Sequence, residues 1–382
     1  MRARIALLGA LALVTSLLGG AGPGVAEAAA SPALDVEVVA SGLDHPWEVG
    51  VLPGGQLLVT QRERRTLTLI NPTTGAKRDL AFPSSSVWAQ GETGLLGLAV
   101  DPGFASNRRI YTCSGWKLST GAHDIRVIAW RLDAGLTKAT SAGTLIGGLP
   151  SNSTGRHGGC RLMVQSSGAL VIGTGDAAKG TNPQSLSSYG GKILRLHRVT
   201  GKPWPSNPWA TSKSNRRFIY SYGHRNVQGL AQRPDGSLWA VEHGSYRDDE
   251  INLIGSGRNY GWNPVPGYDE SRPMTDGSLP GAQYAARWRS GDPTIAPSGM
   301  DVVVGSRWGD LNGALAVAVL KGKRLMFVKF DRTGRYQFTR YPAELRTYGR
   351  LRDVTRTPDG SLLVTTDNGG GNDLVLRVRP AT

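Results

Sequence analysis

The sequence predicts an all-β fold, a six-bladed β-propeller in a single domain. Three observations carry that prediction. A unit of strand, tight turn, strand, loop and strand recurs six times, at roughly 50- to 75-residue intervals, which is repeat-architecture spacing. The 382 residues include 52 Gly and 22 Pro, a composition suited to many short strands joined by turns. No unit alone buries both faces of its small sheet, so the units must stack around an axis.

The elements follow in order. Residues 1–29 read as an export signal: Arg2 and Arg4, then a mostly apolar run from 5 to 18, then small residues ending in an Ala-rich stretch. That run is too short, and its flanks are wrong, for a membrane span. Residues 30–382 form the propeller. The first unit has strands at 49–52, 57–61 and 67–70 around Pro53-Gly54-Gly55. The second has 95–100, 109–114 and 125–132, with Asp101-Pro102-Gly103 as its turn. The third has 161–164, 169–173 and 192–197 about Ser166-Ser167-Gly168. The fourth turns at Pro234-Asp235-Gly236 and continues through 237–241 and 251–254. The fifth, weaker copy is 300–304, 313–319 and 324–330, and the sixth is 351–356, 361–365 and 374–378. The alternating stretch 34–40 is surplus to the first unit and is predicted to complete the last blade, closing the ring. A Pro- and Gly-rich insertion, 264–297, reads as a top-face loop.

Formal charge is +15, falling by one when Arg2, Arg4 and Glu27 leave with the signal. The Lys and Arg are scattered and interrupted by acids, with no basic helix or aromatic ladder, which argues against nucleic acid as a partner. Weak attraction to anionic surfaces fits the charge better. No second long apolar run follows, so the reading is a secreted or extracytoplasmic protein without a transmembrane anchor. In that oxidising setting Cys113 and Cys160, at comparable places in adjacent units, predict a disulfide rather than two separate thiols.

Several residues are suited to chemistry. His157, in a glycine-softened loop before a strand, is placed to serve as a general base, the alternative being a structural histidine. Asp176, ending the next strand, orients that imidazole if the two strands are adjacent; otherwise it is a turn residue. Arg225 and Asn226 offer a planar cation and an amide for an anionic ligand, or an inter-blade polar network. Lys321, Arg350 and Arg352 come from the last two units, and Arg350 and Arg352 share a strand face. They either converge on a polyanion or lie scattered. Carbonyls at Gly244 and Ser245, with the following Asp248-Asp249-Glu250 and Tyr260, are hard oxygen ligands of the kind calcium takes, or solvated acid in a loop. Zinc, P-loop and Rossmann patterns are absent from the sequence.

Taken together, these stretches resemble the glucose/sorbosone dehydrogenase family of soluble quinoprotein sugar dehydrogenases, and within it the aldose sugar dehydrogenase branch. The matching segments are GLLGLAVDPGF from Gly94, the 157–162 loop, GGKILRL from Gly190, and YGHRNVQGL from Tyr222. Others are the segment from Glu242 to Trp262, APSGM from Ala296 and RLRDVTRTPDG from Arg350. The resemblance implies an enzyme that binds pyrroloquinoline quinone on the top face of a six-bladed propeller. In it His157 takes the anomeric hydroxyl proton of an aldose, hydride passes to the quinone, and a lactone results. It further implies that Asp176 orients His157, and that Glu92, Arg225, Asn226, Lys321, Arg350 and Arg352 face or hold the cofactor, Arg225 also serving catalysis. Gly244 and Ser245 would ligate a calcium ion at the quinone, and Glu250 with the Tyr260 backbone a structural calcium. Without a haem-attachment motif, electrons leave to a separate acceptor.

This chain departs from the family pattern at five places, one of them Asp292-Pro293, which lacks the aromatic that the glucose-specific branch places above the cofactor. Glu92 stands where Gln is frequent, Ser245 where Pro is, Cys160 where Gly is, and Arg156 where a carboxylate precedes the histidine. A carboxylate at 92 weakens the binding of an anionic quinone unless it is protonated or paired. Two other functions suit the same scaffold: a calcium-dependent lactonase-type hydrolase, and a non-catalytic propeller binding glycans or proteins.

Overall fold

The computed structural model describes residues 31–381; the predicted export signal lies outside them. The first strand, β1 (Leu34–Leu43), belongs to the last blade. Blade one holds β2 (Pro46–Val51), β3 (Leu57–Gln61), β4 (Thr66–Ile70) and β5 (Lys77–Asp79). Blade two holds β6 (Leu95–Val100), β7 (Arg109–Lys117), β8 (His123–Leu132) and β9 (Ala139–Leu149). In blade three are β10 (Gly159–Val164), β11 (Ala169–Thr174), β12 (Lys192–His197) and β13 (Ile219–Tyr222). Blade four comprises β14 (Val227–Gln232), β15 (Leu238–Glu242), β16 (Glu250–Ile254) and the short β17 (Trp288–Arg289). Blade five has β18 (Pro297–Val302), β19 (Leu315–Val319), β20 (Arg324–Phe330) and β21 (Tyr336–Arg340). Blade six has β22 (Leu351–Arg356), β23 (Leu362–Thr366) and β24 (Asp373–Pro380), and β1 adds antiparallel to β24 with Val36 opposite Val378. The chain ends thus close the ring, as the surplus strand predicts.

Each blade is an antiparallel meander of four strands, and the first strands of successive blades pack against one another around the axis. Middle strands such as β19 (LAVAV) are buried along their whole length because neighbouring blades cover both faces. Each Val or Leu so buried contributes about 1.5–3 kcal/mol. The sequence reading places three strands per blade and misses most of the fourth. Those outer strands carry too little apolar pattern to be seen: β5 reads Lys-Arg-Asp and is exposed throughout, and β17 lies inside the predicted loop, paired to Glu250 and Ile251.

All six inner strands share one further feature. Each has a register shift at its first residues, between Pro46 and Glu48, Leu95 and Leu98, Gly159 and Arg161, Val227 and Gly229, Pro297 and Met300, and Leu351 and Asp353. Bulges re-aim side chains at a sheet's rim. Here they form a ring at one end of the axis, and Gln228 and Arg352, both bulged, meet across it.

The predicted disulfide is present, with Cys113 of β7 bonded to Cys160 of β10 at a Cα separation of 5.5 Å. It ties blade two to blade three, three residues beyond His157.

Candidate active site

The loops that precede the bulged strand ends converge on one face. Among the described residues, eleven non-glycine residues have positive φ: His45, His157 and Ala296 precede inner strands, Cys160 lies in the β10 bulge, Ala177, Ala178 and Asp248 lie in loops between a blade's second and third strands, and four more lie elsewhere. Left-handed backbone costs such residues about 1–3 kcal/mol each and collects where the surroundings over-determine it, characteristically at functional sites.

His157 and Asp176 sit at the joined ends of β10 and β11, so the strand adjacency required by the sequence argument holds. The imidazole is 3 % exposed and its Nδ1 lies 2.8 Å from Asp176 Oδ1. Oδ1 also accepts the Ala178 N–H at 2.8 Å. Oδ2 accepts the Trp262 indole N–H and the Tyr268 hydroxyl, each at 2.8 Å. A carboxylate that accepts at Nδ1 keeps the proton there and leaves Nε2 with a free lone pair. Nε2 has no protein partner among the described residues, so it is available as a base. Trp262 ends a segment the family resemblance quotes but has no role assigned to it there, and Tyr268 goes unnoticed because it lies in the 264–297 insertion. Burial, then the neighbouring Asp176, pushes the Tyr268 phenol well above its ordinary range.

The GHRN segment leads into β14. Gly223 has φ +76°, and a Cβ there would lie 2.1 Å from Asn259 Oδ1, so no other residue fits. Glu242, opposite Val227, organises the segment: it faces His224 Nδ1 at 2.8 Å and accepts the Arg225 backbone N–H at 2.7 Å. The Arg225 side chain is buried; Nη2 donates to Glu270 at 2.5 Å, Nη1 to the His243 carbonyl at 3.4 Å, and Nε has no partner. Glu270, also on the insertion, bonds Arg156 at 2.8 Å. Asn226 has the inter-blade role as well: its Oδ1 accepts from Gly159 N–H and Gln228, and its Nδ2 donates to Glu92 at 3.4 Å. The Glu92 carboxylate accepts the His157 backbone N–H at 3.0 Å, so it lies at the site without an arginine partner.

Arg350 and Arg352 share one carboxylate partner. Both reach Asp367, Arg352 Nη2 at 2.5 Å and Arg350 Nη2 at 3.8 Å, and His45 Nδ1 meets the same carboxyl at 2.5 Å. Burial pushes the Asp367 carboxyl up, but Arg352, the His45 hydrogen bond and Arg62 outweigh it and hold the group well below the usual carboxylate range. Lys321 lies at the same end of blade five, exposed, with Nζ donating to Thr294 at 3.2 Å rather than joining the arginines. His243 is a further member: burial, then Arg225 and Arg352, lowers it to about 3, so the ring is neutral, with Nε2 buried and unpartnered.

The predicted metal ligands fall in two places. Gly244 and Ser245 form the turn after β15, where Asp249 accepts the N–H groups of Gly244, Ile295 and Ala296. Tyr260 stacks on His224 and its hydroxyl donates to the Leu253 carbonyl at 2.7 Å. Glu250 is buried beside Glu242. Its Oε1 and Asn252 Oδ1 are buried oxygens without hydrogen-bond partners, and burial followed by Glu242 raises the Glu250 carboxyl to about 8. A hard cation suits that oxygen set. Among the described residues no three His, Cys, Asp or Glu side chains cluster as a metal site, so any such ion would rely on backbone carbonyls.

The fold is a propeller that carries, on one face, an Asp-fixed histidine and several arginines held by carboxylates. The sequence profile of the glucose/sorbosone dehydrogenase family matches residues 43–377, and the chain belongs to that family of sugar oxidoreductases. It is 33 % identical over 370 residues to aldose sugar dehydrogenase YliI of Escherichia coli, covering 92 % of this chain and 94 % of that one. The PQQ-bound structure of the aldose sugar dehydrogenase of Streptomyces coelicolor superimposes with a TM-score of 0.74 at 33 % identity, covering 92 % of this chain and all of that one. The apo structure of the soluble E. coli aldose sugar dehydrogenase gives 0.81 at 31 % identity, covering 91 % of this chain and 100 % of that one.

Proposed function

We propose that the protein is an exported, pyrroloquinoline quinone-dependent aldose dehydrogenase that oxidises the anomeric hydroxyl of an aldose to the lactone. The observation that carries this reading is a single constellation: a histidine fixed by Asp176, with the buried His243 near enough to it, to Arg225 and to Arg352 to feel the charge of all three. His157 removes the hydroxyl proton, and Asp176 stabilises the imidazolium that forms. Arg225, Arg350 and Arg352 bind the carboxylates and carbonyls of a planar polyanion, for which guanidinium forks are suited. Glu270 must release Arg225 for such a ligand to reach it. The cofactor, when bound, supplies the two-electron acceptor, and a separate acceptor receives the electrons afterwards.

Gly244 and Ser245 carbonyls would hold a calcium ion at the cofactor, and Glu250 with the Tyr260 carbonyl a second, structural one. The buried Asn252 Oδ1, which has no hydrogen-bond partner, supports the latter, while Glu250 Oε1 already faces Arg289 Nε at 3.5 Å, which a bound ion would have to displace or share. Export is supported by the charged-then-apolar N-terminus and by the disulfide. Among the described residues no helix is long and apolar enough to cross a membrane.

The test is a titration of the mature protein with the quinone and calcium, followed by absorbance, and then an aldose panel with an artificial electron acceptor. Saturable binding, sugar-dependent reduction and loss of turnover in His157→Ala are expected. No binding at micromolar cofactor overturns the reading.

A further inference from the structure

Beside the His157–Asp176 pair, a separate cavity of about 420 Å³ opens between the 150–153 loop, the 177–182 loop and the tip of the insertion. Its walls are built in advance. The buried Lys192 ammonium donates to the carbonyls of Asn182, Pro183 and Gly190 at 2.7, 2.9 and 2.6 Å, pinning the loop from beneath. Asn182 Nδ2 donates to the Asp176 carbonyl at 2.8 Å, and Asn152 Nδ2 to the Ala177 carbonyl at 3.1 Å. At Gly180 the loop meets the insertion so closely that a Cβ would stand 2.0 Å from the Gly267 carbonyl oxygen. Tyr268 forms the wall toward the base, its hydroxyl 3.0 Å from His157 Nδ1. The volume falls within the range of small-molecule sites, about 300–1,000 Å³.

The lining is one-sided in charge. Lys179 is its sole charged residue, no carboxylate lines it, and Lys179 Nζ has no ion pair or hydrogen bond among the described residues. The amide of Asn152 is committed to the loops, whereas the hydroxyl of Ser153 is free. Across the Tyr268 ring stands Arg156, with its guanidinium carbon 5.8 Å from the ring centroid and its charge paired with Glu270, so Lys179 is the cation left for a ligand. Lys179 is exposed; a neutral aldose offers it only hydroxyl acceptors in place of water, whereas a carboxylate offers an ion pair.

We infer that this cavity is a subsite for an anionic sugar unit: the substrate is an aldose glycosidically joined to a carboxylate-bearing residue, a uronic-acid-terminated disaccharide or longer. The reducing ring lies at His157, the uronate carboxylate pairs with Lys179, and ring hydroxyls bond the 151–153 loop. This rests on the dehydrogenase reading for its chemistry, but the subsite is testable without turnover.

The holoprotein is assayed with glucose, cellobiose and 4-O-glucuronosyl-glucose at low ionic strength. The acidic disaccharide is expected to exceed cellobiose in kcat/KM by about fivefold, the upper end for a solvent-exposed ion pair. Lys179→Ala should erase that preference and Lys179→Glu should reverse it. Equal use of both disaccharides, or a preference unmoved by either substitution, overturns the inference. Calorimetric titration of cofactor-free protein with 4-O-glucuronosyl-glucose separates the two readings. Binding that weakens in Lys179→Ala supports the subsite even if glucose is not oxidised, in which case the dehydrogenase reading fails alone. Absence of binding, with glucose oxidised normally, sinks the subsite alone.

Discussion

Replacing Asp176 with Asn tests the base most directly, because the shape is kept and the hydrogen-bond arithmetic fails. Asp176 accepts four hydrogen bonds, from His157 and Ala178 on one oxygen and from Trp262 and Tyr268 on the other. An amide has one accepting oxygen. If that oxygen faces His157, the amide hydrogens confront the Trp262 N–H, which has no other acceptor. A buried donor left unpaired in this way costs about 1–3 kcal/mol. If the amide nitrogen faces His157 instead, Nδ1 must accept, the ring proton moves to Nε2 and the base is lost. Loss of a correctly oriented base lowers turnover by about 10²- to 10⁴-fold. We expect kcat in Asp176→Asn to fall on the order of 10³-fold, with quinone affinity near that of the wild type and a lowered unfolding midpoint. Steady-state kinetics at saturating quinone and electron acceptor, with a cofactor titration alongside, measure this. A variant that keeps wild-type kcat, or loses activity only through KM, refutes the assignment of His157 as a base held by Asp176.

Asp367→Asn strands the buried Arg352 cation and should cost about 3–5 kcal/mol in urea unfolding at neutral pH. Because the folded state holds the Asp367 carboxyl low, its contribution is complete above the unfolded value near pH 4 and is lost as pH falls through the lower folded value; the gap between variant and wild type should therefore narrow in acid. Breaking Cys113–Cys160, which spans 47 residues, should cost about 4 kcal/mol by loop-closure entropy, read as the difference between Cys113→Ser/Cys160→Ser and the oxidised protein. Calcium should raise the melting temperature of the cofactor-free protein, chelation should reverse this, and Glu250→Gln should blunt it; an identical response in the variant removes Glu250 from the site. Glu92→Gln keeps an acceptor for the His157 N–H while removing a negative charge beside the cradle, so quinone should bind up to about tenfold more tightly, checked by absorbance titration.

The repeat and ring closure were legible in the sequence because middle strands carry continuous apolar runs and because the 34–40 stretch had no place in the first unit. The outer strands were not, since a strand such as Lys77–Asp79 makes its ladder with backbone alone and leaves no side-chain pattern. At the site, residue type and position in the repeat raised His157, Asp176, Arg225, Arg350 and Arg352 as candidates with a structural alternative beside each, and the family resemblance is what gave them roles. The residues that hold them were not raised. Glu242 looks like the end of an ordinary strand, Asp367 like a turn acid, and Tyr268 and Glu270 like parts of a long polar loop. Their roles depend on which blade faces which, information that local periodicity does not contain.

That division has a physical basis. The scaffold repeats, so its signal repeats; the site arises where the repeat is broken. Bulges at the start of every inner strand turn side chains such as Gln228 and Arg352 toward the axis, and left-handed residues at 157, 160, 177 and 178 hold the base and its partner in backbone that most residues avoid. Such strain persists only against a stiff frame, and this frame is stiff at the right place: the disulfide anchors one side of the His157 loop, and Lys192 pins the loop carrying Asp176. The insertion then contributes what the repeat lacks. Tyr268 and Trp262 complete the hydrogen bonds of Asp176, and Glu270 bonds both Arg225 and Arg156. The His157–Asp176 pair belongs to the propeller, whereas the partner of the Arg225 guanidinium comes from the segment between β16 and β17.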